Sequence, residues 1–260
     1  MTSPSPQPPL AQSRRVVLVT GASRGIGRAT AQLAAARGWA VGINYAHDAA
    51  AAEATADAIR AAGGQACTIR GDVAEEADVF AMFDSVEREF GRLDALVNNA
   101  GIVAPPLALA DIGIERLRRM FDVNVLGAYL CAREAARRLS NTRGGPGGAI
   151  VNVSSIAARI GSPNEYVDYA GAKAAVDTLT LGLAKELGPC GVRVNAVRPG
   201  LIDTGIHASG GQPDRAARLG ALTPLGRAGR ADEIAETIVW LLSDAASYLT
   251  GSLIDVGGGR

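Results

Sequence analysis

Short apolar runs rich in β-branched residues alternate along this chain with longer stretches in which apolar residues recur at helical spacing. These two periods separate strand from helix. Arg15-Val16-Val17-Leu18-Val19-Thr20 has the unbroken apolar character of a buried strand. A glycine-rich turn follows, then an Ala-rich helix over about residues 28–37 and a second apolar run over residues 40–45, with Gly38 placed to cap the helix. Strand, turn, helix and strand make a βαβ unit, and such units build parallel sheets. Further on the pattern predicts a helix over 49–62 ended by Gly63-Gly64, a strand over 66–70, a helix over 75–90 and a strand over 93–97. A long helix over 114–139, a glycine loop at 144–148, a strand over 149–153 and a helix over 168–187 come next. A strand over 192–197, an amphipathic helix over 232–243 and a last strand over 252–256 complete the series, with no internal repeat. Residues 201–222 contain Gly, Pro and His with little periodicity, and read as a mobile segment covering a site rather than a core element. The pattern therefore predicts an α/β fold: a doubly wound parallel sheet of about seven strands with helices on both faces.

Composition adds limits. A chain of 260 residues suits one large domain, and 48% apolar residues allow a sizeable core. Residues 1–13, rich in Pro, Ser and Gln, lack the charged-then-apolar order of a secretory signal and read as a mobile tail before one domain over 14–260. The 26 basic residues balance 26 acidic ones, so no nucleic-acid partner is expected. No apolar run reaches ~18 residues, so no membrane helix is expected either. Cys67, Cys131 and Cys190 are scattered, form no metal-ligand spacing and suggest no disulfide framework, which fits a cytoplasmic protein without a metal site.

Doubly wound sheets bind ligands beyond the carboxyl ends of their strands. Gly21–Gly27, Asp72, Asn98–Gly101, Ser154-Ser155 and Pro199-Gly200 all fall at such ends. Glycines at 21, 25 and 27 let the backbone approach a pyrophosphate, and the following helix N-terminus offers N–H groups and positive dipole. Gly21-Ala22-Ser23-Arg24-Gly25 also fits the nucleophile elbow of a serine hydrolase built on Ser23, but only His47 and His207 are available as partners and no HGGG-type segment is present. A P-loop is excluded by the missing Gly-Lys-Ser/Thr. Tyr169 and Lys173 stand at i and i+4 and share a helix face. A phenol titrates near ~10, and an ammonium ~4–6 Å away can lower that by ~1–3 units. Tyr166 competes for the role but has Ala170 at i+4, so it reads as a loop or substrate-pocket residue.

Taken in order, Thr20-Gly21-x-x-x-Gly25-Ile26-Gly27, Asn98-Asn99-Ala100-Gly101, Asn124 in Asn-Val-Leu-Gly, Ser155, Tyr169-x-x-x-Lys173 and Pro199-Gly200-x-Ile202-x-Thr204 resemble the classical short-chain dehydrogenase/reductase family over roughly residues 15–259. The likeness is strongest to 3-oxoacyl-carrier-protein reductases and glucose 1-dehydrogenases, which share endings like Pro224-Leu225-Gly226-Arg227 and Asp255-Val256-Gly257-Gly258. The resemblance implies a Rossmann-like fold and hydride transfer between a nicotinamide cofactor and a carbonyl or secondary alcohol. By it, Tyr169 is the general acid/base, Lys173 lowers the phenol's pKa and holds ribose hydroxyls, Ser155 bonds the substrate oxygen, and Asn124 holds a water linking Lys173 to solvent. Ser154 and Ser155 fall on opposite sides of a strand, and alignment to the family favours Ser155. The gap from Ser155 to Tyr169 is one residue longer than the family's commonest, which an insertion around Pro163-Asn164-Glu165 absorbs.

The same resemblance assigns the cofactor site to Gly21, Ser23, Arg24, Gly25, Ile26 and Gly27 at the phosphates and to Asp72-Val73 at the adenine. Asn99, Ala100 and Gly101 should lie along the cofactor, with Pro199, Gly200, Ile202 and Thr204 at the carboxamide. The second strand ends in Asn44-Tyr45 without a carboxylate, and Arg24 is basic, so NADP is expected in preference to NAD, with Asn44 and His47 helping to hold its phosphate. Leu201, Ile206, His207 and Leu222 are offered to a substrate that the sequence does not name. Helices 114–139 and 168–187 carry many apolar residues for surface elements, and the resemblance implies that they pair across a dimer, two of which make a homotetramer. The alternative is a catalytically silent NADP-binding sensor or scaffold.

Overall fold

β1 (Val16–Val19) is apolar at every position because helices cover both of its faces. Val16 and Leu18 enter one core, and Val17 and Val19 enter the other. The structure is a computed structural model that describes residues 14–260, so the tail expected at 1–13 lies outside the described residues. α1 (Gly25–Ala36), β2 (Ala40–Tyr45), α2 (Ala49–Ala61), β3 (Gln65–Arg70), α3 (Glu76–Phe90) and β4 (Ala95–Asn98) follow the predicted alternation. α3 ends where Gly91 takes the left-handed conformation, φ +77°, which a residue with a side chain adopts only under strain.

The long helix predicted over 114–139 is not continuous. α4 (Ile114–Phe121) and α5 (Gly127–Leu139) are joined by a π-helical turn over Asp122–Leu126. Asn124 within that turn donates from Nδ2 to the Met120 carbonyl (3.1 Å) and to the Ile102 carbonyl (3.0 Å), so its side chain ties the widened turn to the loop after β4. Then come β5 (Gly148–Val153), α6 (Ala157–Ile160), α7 (Val167–Leu187) and β6 (Val192–Pro199).

The stretch read as an unpatterned cover is built of short elements: β7 (Ile202–Asp203), α8 (Ile206–Ser209) and α9 (Arg215–Gly220). β7 pairs with β8 (Gly229–Arg230), and Leu201 and Ile202 are buried. Two-residue strands and single helical turns are too short to show a period, which is why the pattern did not disclose them. α10 (Ala231–Leu242) and β9 (Leu253–Val256) finish the described chain.

All neighbours in the main sheet are parallel, in the order β3-β2-β1-β4-β5-β6-β9. This is a Rossmann-like α/β fold. α1, α2 and α10 cover one face through Ala31, Ala34, Ala56, Ile59, Ile234 and Ile238. α3, α5 and α7 cover the other through Met82, Phe83, Val86, Leu130, Leu139 and Leu187. Strand order reverses between β1 and β4, so their carboxyl ends open a crevice. Among the described residues no helix is long and apolar enough to cross a membrane.

Candidate active site

At the switch point the chain turns sharply after β1. Gly21 and Gly25 have φ of +61° and +56°, the left-handed region that glycine enters without steric cost. Gly27 is needed for space instead: a Cβ there would lie 2.5 Å from both Asn99 Nδ2 and the Gly21 carbonyl oxygen. Asn99 Nδ2 donates to the Thr20 and Gly21 carbonyls (2.8 and 3.1 Å). The backbone N–H groups of Asn99 and Ala100 both donate to Thr20 Oγ1 at 2.9 Å. The loop after β4 is thereby stitched to the loop after β1. The first turn of α1 has no side-chain N-cap and no acidic residue, so its N–H groups remain open to an anion. Arg24 is exposed beside them, and its side chain has no hydrogen bond or ion pair with any described residue.

Those features fit a dinucleotide pyrophosphate: a positive-φ cradle, uncapped N–H groups and a free guanidinium. Asn44 departs from its expected role. It is 2% exposed, accepts from the Gly21 N–H at 3.1 Å and donates to the Ile69 and Gly71 carbonyls (3.3 and 3.0 Å). It braces the glycine turn from behind and has no group left to hold a phosphate. Tyr45 is half-buried and His47 is exposed at the end of β2. Asp72 receives the Ala74 N–H (3.0 Å) and pairs with Arg119 (3.2 Å), while Val73 is buried against Gly127.

Ser155, Tyr169 and Lys173 converge on one cleft of about 160 Å³, together with Asn99, Gly101, Pro199, Gly200, Ile202 and Thr204. Ser155 hydrogen-bonds Tyr169, whereas Ser154 is buried and donates to the Lys173 carbonyl at 3.1 Å. Both serines line the cleft, but the Ser154 hydroxyl is committed to that carbonyl. Lys173 Nζ donates to the Val153 carbonyl (2.8 Å) and lies 5.7 Å from the centre of the Tyr169 ring. Gly101 sits between Asn124 and Lys173: a Cβ there would be 2.7 Å from Asn124 Oδ1 and 3.4 Å from Lys173 Nζ. Asn124 Oδ1 also accepts from the Ile102 N–H at 3.0 Å.

Burial pushes the Tyr169 phenol up to about 12, opposed by its hydrogen bond to Ser155. Burial also pulls the Lys173 ammonium down to about 8, opposed by Asp177. The expected lowering of the phenol by Lys173 is therefore absent, because the cost of burying a phenolate exceeds the help it receives here. Tyr166 is no bystander. Its hydroxyl accepts from Gln212 Nε2 (2.9 Å), and its ring lies 5.0 Å beneath the Arg215 guanidinium, so it belongs to the cleft wall. His207 lines the cleft with Nε2 2.8 Å from the Ile202 carbonyl, and burial holds it below the usual imidazole range. Ile206 and Leu201 line the cleft too, but Leu222 is 78% exposed and does not. Ser23 gives its carbonyl to Arg28 and has no histidine partner among the described residues, which leaves the hydrolase elbow without a base.

Two ion pairs hold this cluster in place across large sequence separations. Arg116 on α4 reaches Asp168 at the start of α7 (2.8 Å), and Arg198 on β6 reaches Asp177 one turn beyond Lys173 (2.9 Å). The position of Asp177 at i+4 from Lys173 was the available signal for the second pair. The partner on β6 carried none.

The sequence profile of the family described as Enoyl-(Acyl carrier protein) reductase matches residues 21–260. The chain is 51% identical to an uncharacterized oxidoreductase, YgfF, of Escherichia coli K12, over 94% of this chain and 99% of that one. It is 43% identical to cis-4-hydroxycyclohexanecarboxylate dehydrogenase of Sinomonas cyclohexanicum, over 95% and 96%. The structure of 3-ketoacyl-(acyl-carrier-protein) reductase from Brucella melitensis complexed with NADH superposes with a TM-score of 0.87 at 34% identity, covering 95% of this chain and 98% of that one. Fold, cleft and relatives define a nicotinamide-dependent oxidoreductase of small molecules. The chain belongs to the classical short-chain dehydrogenase/reductase family.

Proposed function

We propose that this protein is an NADP-dependent reductase of carbonyl compounds, reversible as a secondary-alcohol dehydrogenase, with Tyr169 as the proton donor and acceptor. The observation that carries the reading is the meeting of Ser155, Tyr169 and Lys173 in the cleft that opens at the carboxyl ends of β4 and β5. When bound, the cofactor supplies the hydride. Tyr169 gives its proton to the substrate oxygen, and a phenol held at about 12 is fully protonated for that task at neutral pH. Ser155, bonded to the same phenol, positions the oxygen. Lys173, still largely charged near pH 7, favours the phenolate left behind. Asn124 fixes the Ile102 backbone, and through Gly101 the ammonium's surroundings.

The preference for NADP rests on Arg24, which is unpaired and exposed beside the turn, and on Tyr45 standing where a carboxylate would repel a 2′-phosphate. Withdrawing Asn44 from phosphate binding leaves Arg24 as the principal determinant. The three described cysteines are free, which suits a reducing cytoplasm. The dehydrogenase from Sinomonas cyclohexanicum, named for a hydroxycyclohexanecarboxylate, suggests secondary alcohols on carboxylate-bearing rings as the first substrates to try.

The test is an NADPH-oxidation screen over ketones, β-ketoacyl thioesters, quinones and sugars, with NADH in parallel, on the parent and Tyr169→Phe proteins. The parent should turn over at least one carbonyl with kcat/KM at least ~10-fold higher for NADPH. Tyr169→Phe should lose ~10²–10⁴-fold in kcat while binding NADPH as before. Activity surviving that change would overturn the mechanism, and equal use of NADH would overturn the cofactor preference.

A further inference from the structure

Arg215 holds a place that an apolar residue would ordinarily fill. Between Ala208 and Leu222, the stretch that contains α9, the buried residues are Gly210, Arg215, Ala216 and Gly220, so the only buried side chain longer than alanine is a charged one. Its guanidinium donates to both carboxylate oxygens of Glu165 (2.9 and 2.6 Å) and lies 5.0 Å from the centre of the Tyr166 ring. Gln212 adds a second link. Its Oε1 accepts from Arg218 (2.7 Å) and Arg215 (3.4 Å), which leaves Nε2 to donate to the Tyr166 hydroxyl (2.9 Å). Polar bonds, not apolar burial, therefore fasten α9 to the residues just before α7.

The receiving loop is held from several sides. Ser162 and Asn164 have φ of +44° and +61°, a region that residues with side chains enter only under strain. The Glu165 and Tyr166 N–H groups both donate to the Ser162 carbonyl (3.3 and 3.0 Å), and the Leu107 N–H donates to the Glu165 carbonyl (3.1 Å). This is the stretch that carries the extra length between Ser155 and Tyr169. Arg215 first, then Arg260 and Arg218, holds Glu165 below the usual carboxylate range against the opposing effect of burial, so the pair stays charged at neutral pH.

The covering segment is built to part from that loop. Its two ends are tied by the pairing of β7 with β8, Ile202 beside Gly229 and Asp203 beside Arg230. Just inside them stand Gly205 and Gly226, each with nothing within 4 Å of an added Cβ, so the backbone there can turn without collision. Opening returns both charges of the Glu165–Arg215 pair to water, which offsets much of the loss of their bonds, whereas a buried leucine exposed in the same way would gain nothing. A segment with so little apolar anchoring opens at low free energy.

We propose that Glu165 and Tyr166 form a catch that holds α8 and α9 over the cleft by way of Arg215 and Gln212, and that releasing it, with movement at Gly205 and Gly226, admits substrate and frees product. Ile206 and His207 of α8 and Arg215 of α9 are among the lining residues, so the segment held by the catch is part of the cleft wall. Glu165 and Arg215 thus act as positioning residues. The kinetic consequence rests on the assignment of this cleft as the site of carbonyl reduction; the catch itself does not.

Amide hydrogen exchange read by mass spectrometry on the full-length protein tests the catch without reference to turnover. Exchange over residues 206–222 should quicken at least ~10-fold in Glu165→Gln, the order expected for losing bonds between charged groups, while α10 and β4 stay as in the parent. Glu165→Gln combined with Arg215→Gln should exchange no faster than the faster single variant, because the two residues serve one contact. With NADPH and the carbonyl found by the screen, KM should rise several-fold in Glu165→Gln, while the alkaline limb of the kcat/KM profile keeps its position. Equal quickening in α10 and β4, or none over 206–222 in either variant, would overturn the catch. Quickened exchange with KM and kcat both unchanged would overturn its control of the cleft. No consumption of NADPH or NADH with any carbonyl would overturn the reductase reading and the kinetic consequence with it, while the exchange comparison still decides the catch.

Discussion

Burial alone would strip Lys173 of much of its charge, since it is 4% exposed and already drawn down to about 8. Asp177, one turn further along α7, is the group that raises it. Asp177 Oδ2 accepts from Arg198 Nε and Nη2 (3.1 and 2.9 Å), while its Oδ1 has no partner among the described residues. Arg198 in turn reaches Asp255 on β9, which also pairs with Arg159 on α6. The charged groups around Lys173 are thus Asp177 on its own helix and, behind it, Arg198 from β6 shared with Asp255. The sign follows directly. Lys173 is charged below about 8 and loses that charge above it, so kcat/KM for reduction should fall as pH rises through that value. Because Asp177 raises Lys173, Asp177→Asn should move this alkaline limb about one unit lower, which is the size of shift a close opposite charge produces. NADPH affinity at pH 6, where the ammonium persists in either protein, should change little. A purely structural Asp177 would lower activity evenly at all pH values, and an unmoved limb would refute the electrostatic role.

At the scale of elements, the apolar period disclosed all seven strands of the main sheet and the long helices between them, because a doubly covered parallel sheet forces continuous apolar strands between amphipathic helices. β2 and the end of α7 fall where the pattern put them. The π-helical turn around Asn124 was not legible, since its cause is a contact with Ile102, which is distant in sequence and has no periodic signature. Asn44 was misread for a related reason: a polar residue at a strand end looks like a ligand until its three backbone partners are known. The glycine turn was legible, yet sequence could not tell which glycine serves conformation and which serves space. Gly27→Ala should force Asn99 or the Gly21 carbonyl to move, at a cost of about 1–3 kcal/mol, with a lower Tm and weaker NADPH binding. Gly38 has φ +89° but nothing within 4 Å of an added Cβ, so Gly38→Ala carries only the backbone penalty and should leave NADPH binding unchanged. Fluorescence titration of NADPH alongside thermal melts separates the two, and equal NADPH affinity in both variants would show that the cradle tolerates a wider turn.

For the whole molecule, the question is what covers the outer sides of α4, α5 and α7. Ile114, Phe121, Leu126, Tyr129 and Leu181 are each between 41% and 55% exposed. Scattered exposed apolar residues are ordinary on a monomer, so exposure alone does not demand a partner. Here they fall on α4, the π-helical turn that carries Asn124, α5, and α7, which carries Tyr169 and Lys173, and Arg116 on α4 pairs with the fully buried Asp168 side chain on α7, tying these elements into one unit. A second copy seated on that unit would cover its apolar residues while stiffening the helices that hold the catalytic groups, which gives the expected homotetramer a reason beyond burial. A stable contact of this kind needs roughly 800 Å² from each partner with an apolar centre. Light scattering should therefore give about four chain masses for the parent protein. Leu126→Asp combined with Leu181→Asp places charges where the interface centre would lie, and should yield a smaller species with kcat reduced several-fold. A parent protein that is monomeric at micromolar concentration would refute the assembly. A variant that dissociates yet keeps full kcat would show that α4, α5 and α7 hold the site without help from a second copy.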